Sequence, residues 1–594
     1  MCGIIGLVGR KPVAADLVAA LGRLEYRGYD SAGVALAGDA IFLHKAIGRA
    51  RDLGPAIDAA GPTGRAGIGH TRWATHGRPE LRNAHPHAFG NVAVVHNGII
   101  ENHASLRAGL AARGHAFASD TDSEVIPHLF ADALAEGAEP REALADVCGR
   151  LEGSFAIAAL VQEAPDRLFV ARRGSPLVVA EGNGMRAIAS DPAALAGLPL
   201  RYAAVGEGEV LELDADGLRT EARDGRQWQA VMAGRLAGGG RAFGTDTRCE
   251  IAEQPDALRA TAAALAGRDL PAGVRHATRL VVVACGSSLF AAGTARAAIE
   301  AATALPVDLE IASEYRDRSV PPAPGTAALL VSQSGETADT LAAMERLRKA
   351  GCPMVGVVNV PHSAIGRQTD ALWPTAAGQE LGVAATKTFT AQVMALTLLG
   401  LRLGVARGTL APDRSAALRN AVDAAPGVAA AAEAAEPACI AIARRIVREK
   451  EALFIGRGAG AFLAAEAALK LKELSYIHAE GIAAGELKHG PIALIREGTP
   501  VVSIAPGGAG MPKLLANMSA VRARGAWVVA LTDAAGAEAC VGAADEVVVL
   551  PGASEEEAPF AAAVAVQLIA LHAALELGHD VDRPRNLAKS VTVE

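Results

Sequence analysis

Over residues 1 to about 230 the apolar positions fall in short runs between glycine-rich turns. The runs "GVALAG" (33–38), "VAVVHNG" (92–98), "SFAIAALV" (154–161) and "LFVARR" (168–173) have the length and residue types of β-strands, and a few helical stretches lie between them. This texture predicts an α+β domain of stacked sheets. The stretch "AGRLAGGGRAFG" (233–244) has the glycine content of a linker. Beyond it, continuous apolar strands such as "RLVVVACG", "AALLVSQSG" and "PMVGVVNV" alternate with alanine-rich helical patterns. That alternation predicts βαβ units on a parallel sheet buried on both faces. The expected divisions are residues 2–232, a linker at 233–249, subdomains at 250–430 and 431–584, and a tail at 585–594.

The second half repeats itself. "VVVACGSSLF" (Gly286) aligns with "ALFIGRGAGAF" (Gly458), "VSQSGET" (Gly335) with "SIAPGGA" (Gly507), and "IASEYR" (Glu314) with "AAGELK" (Glu486), each pair 172 residues apart. Three matches in one register predict two doubly wound subdomains of similar fold. The first copy carries hydroxyls at its strand-to-helix turns: Ser287, Ser288, Ser332, Ser334 and Thr337. The second has Ala459, Gly460, Ile504, Pro506 and Ala509 at those positions. Backbone N–H groups and the helix dipole at such a turn favour an anion, and hydroxyls add donors without charge. A phosphate is therefore expected on the first copy alone. Taken singly, either turn is better explained as an N-cap; two in one copy, both lost in the other, favour phosphate. "GRGAG" (456–460) is too short a match to imply a dinucleotide, and no cofactor is expected.

Composition narrows the class. The chain has 594 residues, 51% hydrophobic and 21% charged, so it has the material for several packed cores. A formal charge of −8 lacks the basic excess of a nucleic-acid binder. Seven scattered cysteines without a CxxC pair suit a reducing compartment. The most membrane-like run, "FAAAVAVQLIALHAALELG", is interrupted by Gln567, His572 and Glu576 and reads as a buried helix. A soluble, cytoplasmic protein without membrane or nucleic-acid partners is expected.

The N-terminus raises a sharper question, because a thiol directly follows Met1 in "MCGIIGLVG". Removal of Met1 would leave Cys2 with a free α-amine, a nucleophile carrying its own base of pKa about 8. An ordinary buried cysteine is the competing reading. Six of the domain's histidines (70, 76, 85, 87, 96 and 103) invite a metal reading but lack a firm metal-ligand spacing; they read as satisfied core or loop residues, and no metal is expected. "HNG" after an apolar run is either a plain turn or an amide side chain beside a glycine N–H, the two donors of an oxyanion hole. Arg72 and Asp122 could hold the carboxylate and ammonium of an amino acid, or form a surface ion pair.

Together, "CGIIG", "LEYRGYDSAG", "HTRWATHG", "NAHPH", "VVHNGIIEN" and "TDSE" resemble the glutamine amidotransferases with an N-terminal nucleophile. The second half, with "ACGSS", "SQSGETADT", "ALKLKELSYIHAEG", "AAGELKHGP" and "PRNLAKSVTVE", resembles a tandem pair of sugar-isomerase domains. In this order the parts are similar, end to end, to the glutamine–fructose-6-phosphate aminotransferase family. The implied fold is an N-terminal-nucleophile glutaminase domain of stacked sheets and helices, followed by two doubly wound parallel-sheet subdomains.

The resemblance implies substrates and roles. Cys2 would attack the amide of glutamine, Asn97 and Gly98 would hold the oxyanion, and Arg72, Thr75, His76 and Asp122 would position the substrate. Trp73 would gate ammonia and His85 would support the site. Fructose 6-phosphate would rest its phosphate on Ser288, Ser332, Gln333, Ser334 and Thr337, with Val383 lining the sugar site. Lys589 would form a Schiff base at C2, and Glu473 would carry a proton between C1 and C2, supported by Lys470 and Glu466. His489 would assist ring opening from the partner subunit of a homodimer. Residues 466, 470 and 473 share one helix face, which without the resemblance reads first as a solvated salt-bridge face.

Two departures stand out: "GVAAT" puts Ala385 where the family has serine, and "FGTDTRCEIAEQP" keeps little of the family's linker stretch. The N-terminal domain lacks the long insertion of nucleotide-sugar-regulated eukaryotic members, so a bacterial type is expected. The competing functions are an amidotransferase acting on another sugar phosphate, and a sugar-phosphate-binding regulator. A regulator would need the hydroxyl turns but not Cys2, Glu473, His489 and Lys589 together.

Overall fold

The computed structural model describes residues 2–73, 77–220, 226, 228–231, 243–552 and 554–591. The chain divides into two compact units, Met1–Gly239 with Ala588–Glu594, and Gly240–Leu587. The expected tail at 585–594 is thus split, most of it grouping with the first unit. Two other expected boundaries fall inside helices: 249/250 within Asp246–Ala252, and 430/431 within Pro412–Ala432.

The first unit holds two antiparallel sheets. An eight-stranded sheet runs in the order Gln229–Ala230, Arg201–Ala204, Val178–Gly182, Met185–Ala189, Gly3–Gly9, Ala66–Arg72, Ser31–Leu36, Phe42–Ile47. A six-stranded sheet runs Leu218–Thr220, Val210–Leu213, Leu168–Arg173, Gly153–Val161, Val92–Ile100, His87–Phe89. Alternation along each strand builds the layers. Ile4 and Val8 face Ala93, Val95, Ala156 and Leu160 of the other sheet. Ile5 and Leu7, pointing the opposite way, pack with Leu17, Leu21 and Leu24 of the helix Ala14–Leu24. The outer face of the second sheet is covered by the helices Val125–Ala135 and Pro140–Arg150. The result is four layers: helix, sheet, sheet, helix.

The second unit holds two five-stranded parallel sheets. The first runs Val307–Ile311, Arg279–Ala284, Thr326–Ser332, Met354–Val358, Ala371–Pro374. The second runs His478–Ala483, Glu451–Gly456, Pro500–Ile504, Trp527–Thr532, Glu546–Val549. The spatial order 2-1-3-4-5 is the same in both, and the first strands of the two copies, Arg279–Ala284 and Glu451–Gly456, lie in the 172-residue register of the sequence repeat. The helices Lys387–Arg407 and Ala558–Glu576 are long and apolar enough to cross a membrane, yet both are mostly buried. Each contributes residues to the large core shared by the two copies.

Candidate active site

Cys2 immediately precedes the central strand Gly3–Gly9, whose Gly3 pairs with Thr71 on Ala66–Arg72. That register sets Cys2 beside the chain leaving the neighbouring strand. The Trp73 N–H donates to Cys2 Sγ at 3.3 Å, and the Trp73 carbonyl lies 3.4 Å from the same sulfur. The other sheet supplies Asn97, whose Nδ2 donates to the Cys2 carbonyl at 2.9 Å. Asn97 and Gly98 sit within the strand Val92–Ile100, so "HNG" is not a turn. Gly98 has φ +139°, and a Cβ there would lie 2.0 Å from the Ser154 carbonyl oxygen. Only glycine allows the two strands to approach at that point. Gly28 serves Trp73 in a similar way, since a Cβ there would stand 2.8 Å from the Trp73 nitrogen. The Trp73 ring meets Tyr29 edge to face, centroids 6.2 Å apart.

Burial pushes the Cys2 thiol up, against the Trp73 N–H and the Arg72 charge, which lower it. An uncharged thiol therefore needs a base at hand to become a nucleophile. Arg72 and Asp122 are both buried, which removes the surface ion-pair reading. The Arg72 guanidinium donates to the carbonyls of Gly77 (2.9 Å) and Arg78 (3.2 Å). Asp122 accepts the Ile100 N–H at 2.8 Å. Thr75 and His76 lie outside the described residues.

His70, His85 and His87 pack against one another as buried rings. His70 stacks on His85 at 4.1 Å, and His85 meets His87 edge to face at 4.5 Å. His70 reaches the His96 carbonyl, His87 reaches the Thr121 hydroxyl, and His96 reaches the Ser123 hydroxyl. Both ring nitrogens of His85 are buried without a hydrogen-bond partner among the described residues. Burial lowers all four rings, His87 to about 3, so the stack is uncharged at neutral pH. Among the described residues no group of His, Cys, Asp or Glu is arranged to hold a metal ion.

In the second unit the hydroxyl turns follow the paired strands Arg279–Ala284 and Thr326–Ser332. Ser332 and Thr337 hydroxyls lie 2.9 Å apart, and Ser332 Oγ accepts the Gly335 N–H at 3.0 Å. Ser288 is in the first turn of the helix Gly286–Thr303, and Thr337 precedes the helix Ala338–Lys349. Gln333 and Ser334 lie between Ser332 and Gly335, both half-buried. Two helix N-termini therefore converge on one edge of the first copy's sheet, as an anion site requires.

Glu466, Lys470 and Glu473 line one face of the helix Ala459–Ser475, and the face is not solvated. Glu466 and Lys470 are fully buried, with Lys470 Nζ 3.6 Å from Glu466 and in a closer ion pair with Glu473. Burial alone would lower the Lys470 ammonium, but Glu466 and Glu473 outweigh it and hold it above its ordinary value. Burial raises Glu466 to about 7, although Lys470 opposes the shift. Glu466 Oε1 accepts the Ser287 hydroxyl at 3.1 Å. That bond joins the acid–base cluster of the second copy to the hydroxyl turn of the first.

Residues 78–197 match the glutamine amidotransferase domain family, and residues 273–402 and 445–577 each match the SIS domain family. A glutamine–fructose-6-phosphate aminotransferase (isomerizing) of Caulobacter vibrioides is 44% identical over 609 residues, covering 100% of both chains. Its namesake in Gluconobacter oxydans is 43% identical, again over the whole of both. The chain belongs to the glutamine–fructose-6-phosphate aminotransferase (isomerizing) family. Among solved structures, the C-terminal domain of the Francisella tularensis glucosamine-fructose-6-phosphate aminotransferase superposes with a TM-score of 0.56 at 33% identity. It covers 59% of this chain and 100% of that domain.

Other residues expected of an aminotransferase of this family are placed as follows. Val383 is buried in the segment before the helix Lys387–Arg407, its N–H donating to the Asp582 carbonyl at 3.1 Å. Ala385, where the family has serine, is half-buried in the same segment. His489 is exposed, ends the short helical turn Ala484–His489, and among the described residues makes no hydrogen bond or ion pair. Lys589 lies in the terminal segment that groups with the first unit. Sequence patterns did not single out the Ser287–Glu466 bond or the supports of the Val383 segment. There Glu250 accepts the N–H groups of Leu381 and Gly382, and Glu380 accepts those of Thr386 and Thr388. These acids lie in "EIAEQP" and "QELGVAAT", and neither run carries a local signal that points to this role.

Proposed function

We propose that the protein hydrolyses glutamine at Cys2 and transfers the released ammonia to fructose 6-phosphate, giving glucosamine 6-phosphate and glutamate. With Met1 removed, the α-amine of Cys2 takes the thiol proton as sulfur bonds to the glutamine amide carbon. The same group returns the proton to the departing ammonia, leaving a glutamyl thioester on Cys2 that water then hydrolyses to glutamate and the free thiol. Asn97 and Gly98 stabilise the oxyanion, while Arg72, Asp122, Thr75 and His76 hold the amino-acid end, with His85 beneath them. Trp73 gates the passage of ammonia. At pH 7 free ammonia is mostly ammonium, which has no lone pair to attack with, so transfer requires an enclosed route.

The sugar phosphate sits on Ser288, Ser332, Gln333, Ser334 and Thr337, with Val383 against the sugar. His489 of the partner subunit in a homodimer opens the ring, and Lys589 condenses with the C2 carbonyl as water leaves. Ammonia then displaces the lysine amine, and Glu473 moves a proton from C1 to C2. Lys470, held charged by Glu466 and Glu473, neutralises the oxyanions formed on the way. One observation supports this reading above the others: Ser287, in a hydroxyl-lined strand-to-helix turn, donates to Glu466 of a Glu–Lys–Glu cluster whose Glu466 and Lys470 are fully buried. A regulator needs the turn but not the cluster. The seven free thiols fit a cytoplasmic enzyme. The test is Cys2→Ala: glutamine hydrolysis should fall at least about a thousandfold, as when a covalent nucleophile is removed, while fructose 6-phosphate binding persists. Active enzyme that retains Met1, seen by mass spectrometry, would overturn the role of the α-amine.

A further inference from the structure

We infer that Asp582 is a positioning residue for the sugar chemistry, clamping the root of the segment that ends in Lys589. The inference rests on the proposed imine role of Lys589 and adds how that lysine is held ready. Asp582 is 6% exposed. One carboxylate oxygen accepts the Asp246 N–H at 3.0 Å, and the other accepts the Thr247 N–H at 2.7 Å. The Thr247 hydroxyl lies 2.9 Å from that second oxygen and 3.1 Å from the Val581 carbonyl. The Asp582 carbonyl accepts the N–H of Val383. Three residues on, the Arg585 N–H donates to the Tyr476 hydroxyl at 2.7 Å and its guanidinium lies 4.2 Å over the Tyr476 ring. Tyr476 caps the helix that carries Glu466, Lys470 and Glu473, with φ +62°.

A span of four residues, 582–585, is therefore fixed to the segment holding Val383 and to the end of the acid–base helix. It leads, seven residues past Asp582, to Lys589. A flexible chain of that length explores many positions, and a reacting amine displaced by about 1 Å can lose about a hundredfold in rate. Anchoring the root in a buried carboxylate with two N–H donors and a hydroxyl reduces that freedom. The hydroxyl donor falls in "FGTDTRCEIAEQP", the stretch where this chain departs from its family's pattern.

The test measures imine trapping at Lys589 in the full-length protein. Borohydride adds hydride to C2 of the ketimine and a proton adds to nitrogen, leaving a stable secondary amine that mass spectrometry locates. Asp582→Ala should slow trapping by fructose 6-phosphate by about 10- to 100-fold. Thr247→Val, which removes the hydroxyl at nearly constant volume, should slow it a few-fold to about tenfold, and Thr247→Ser should restore it. In each variant the Kd for fructose 6-phosphate should stay within about threefold of wild type, with full binding stoichiometry. Trapping at wild-type rates in both Asp582→Ala and Thr247→Val would overturn the inference, as would a Kd that rises in step with the loss of trapping. If Asp582→Ala does not fold, the Thr247 pair decides. Absence of label at Lys589 in the wild type would instead remove the imine role, and the inference with it.

Discussion

Glu466→Gln isolates a buried titration. The wild-type carboxyl is fully buried, one oxygen accepts from Ser287 and the other has no partner, and burial raises its pKa to about 7. In the unfolded chain a glutamic acid titrates near 4.3. Between those values the unfolded state has lost the proton and the folded state retains it, so stability falls as pH rises. The contribution is fully present below about pH 4.3 and is lost as pH passes about 7. At about 1.4 kcal/mol per pH unit, the wild type should lose roughly 4 kcal/mol across the window that the isosteric, uncharged glutamine does not. Urea unfolding of both proteins at several pH values, followed by tryptophan fluorescence, gives the difference directly, and groups common to both cancel. The difference should be small at pH 4.5 and favour the glutamine variant at pH 8. Parallel profiles would refute the account of Glu466 as a buried carboxyl protonated in the folded state.

Two further outcomes follow from the geometry. Ser332→Ala with Thr337→Ala removes two hydroxyls proposed to donate to the phosphate; at about 1.5–3 kcal/mol each, their loss should raise the KM for sugar phosphate about a hundredfold or more. Ser503→Ala in the second copy should change it less than about threefold, and equal effects would refute a phosphate site confined to the first copy. Gly28→Ala forces a Cβ to 2.7 Å from the Arg72 carbonyl carbon and should shift the Trp73 N–H from Cys2. Glutamine hydrolysis should then fall by about 10- to 100-fold with fructose 6-phosphate binding unchanged, and normal hydrolysis would show that the Trp73 contact is dispensable.

The fold was legible where a local pattern repeats. The 172-residue register predicted two sheets of one topology, and their first strands lie in that register. Short runs predicted stacked sheets, but not which strand occupies the centre, because strand order depends on pairings distant in the chain. The hydroxyl turns were visible because the first copy carries them and the second copy, in the same register, does not. The Glu466–Lys470–Glu473 face was visible as a spacing, yet its burial was not, since charges at i, i+4 and i+7 look alike on a wet or a dry face. Contacts such as Ser287–Glu466 and Thr247–Asp582 join residues far apart in the chain and leave no local trace. The "HNG" run shows the converse: a turn-like tripeptide lies within a strand because Gly98 allows the close approach of Ser154. The expected boundaries at 249/250 and 430/431 drifted into helices because composition changes gradually while helices end abruptly.

The central claim is that one chain moves the amide nitrogen of glutamine onto C2 of fructose 6-phosphate without releasing it. The direct measurement supplies glutamine labelled with nitrogen-15 at the amide, fructose 6-phosphate, and a large excess of unlabelled ammonium chloride. The sugar product is then analysed by mass spectrometry. The account predicts glucosamine 6-phosphate carrying the label undiluted, together with one glutamate per amino sugar formed. Unlabelled amino sugar would contradict enclosed transfer, and glutamate without amino sugar would contradict the assigned reaction.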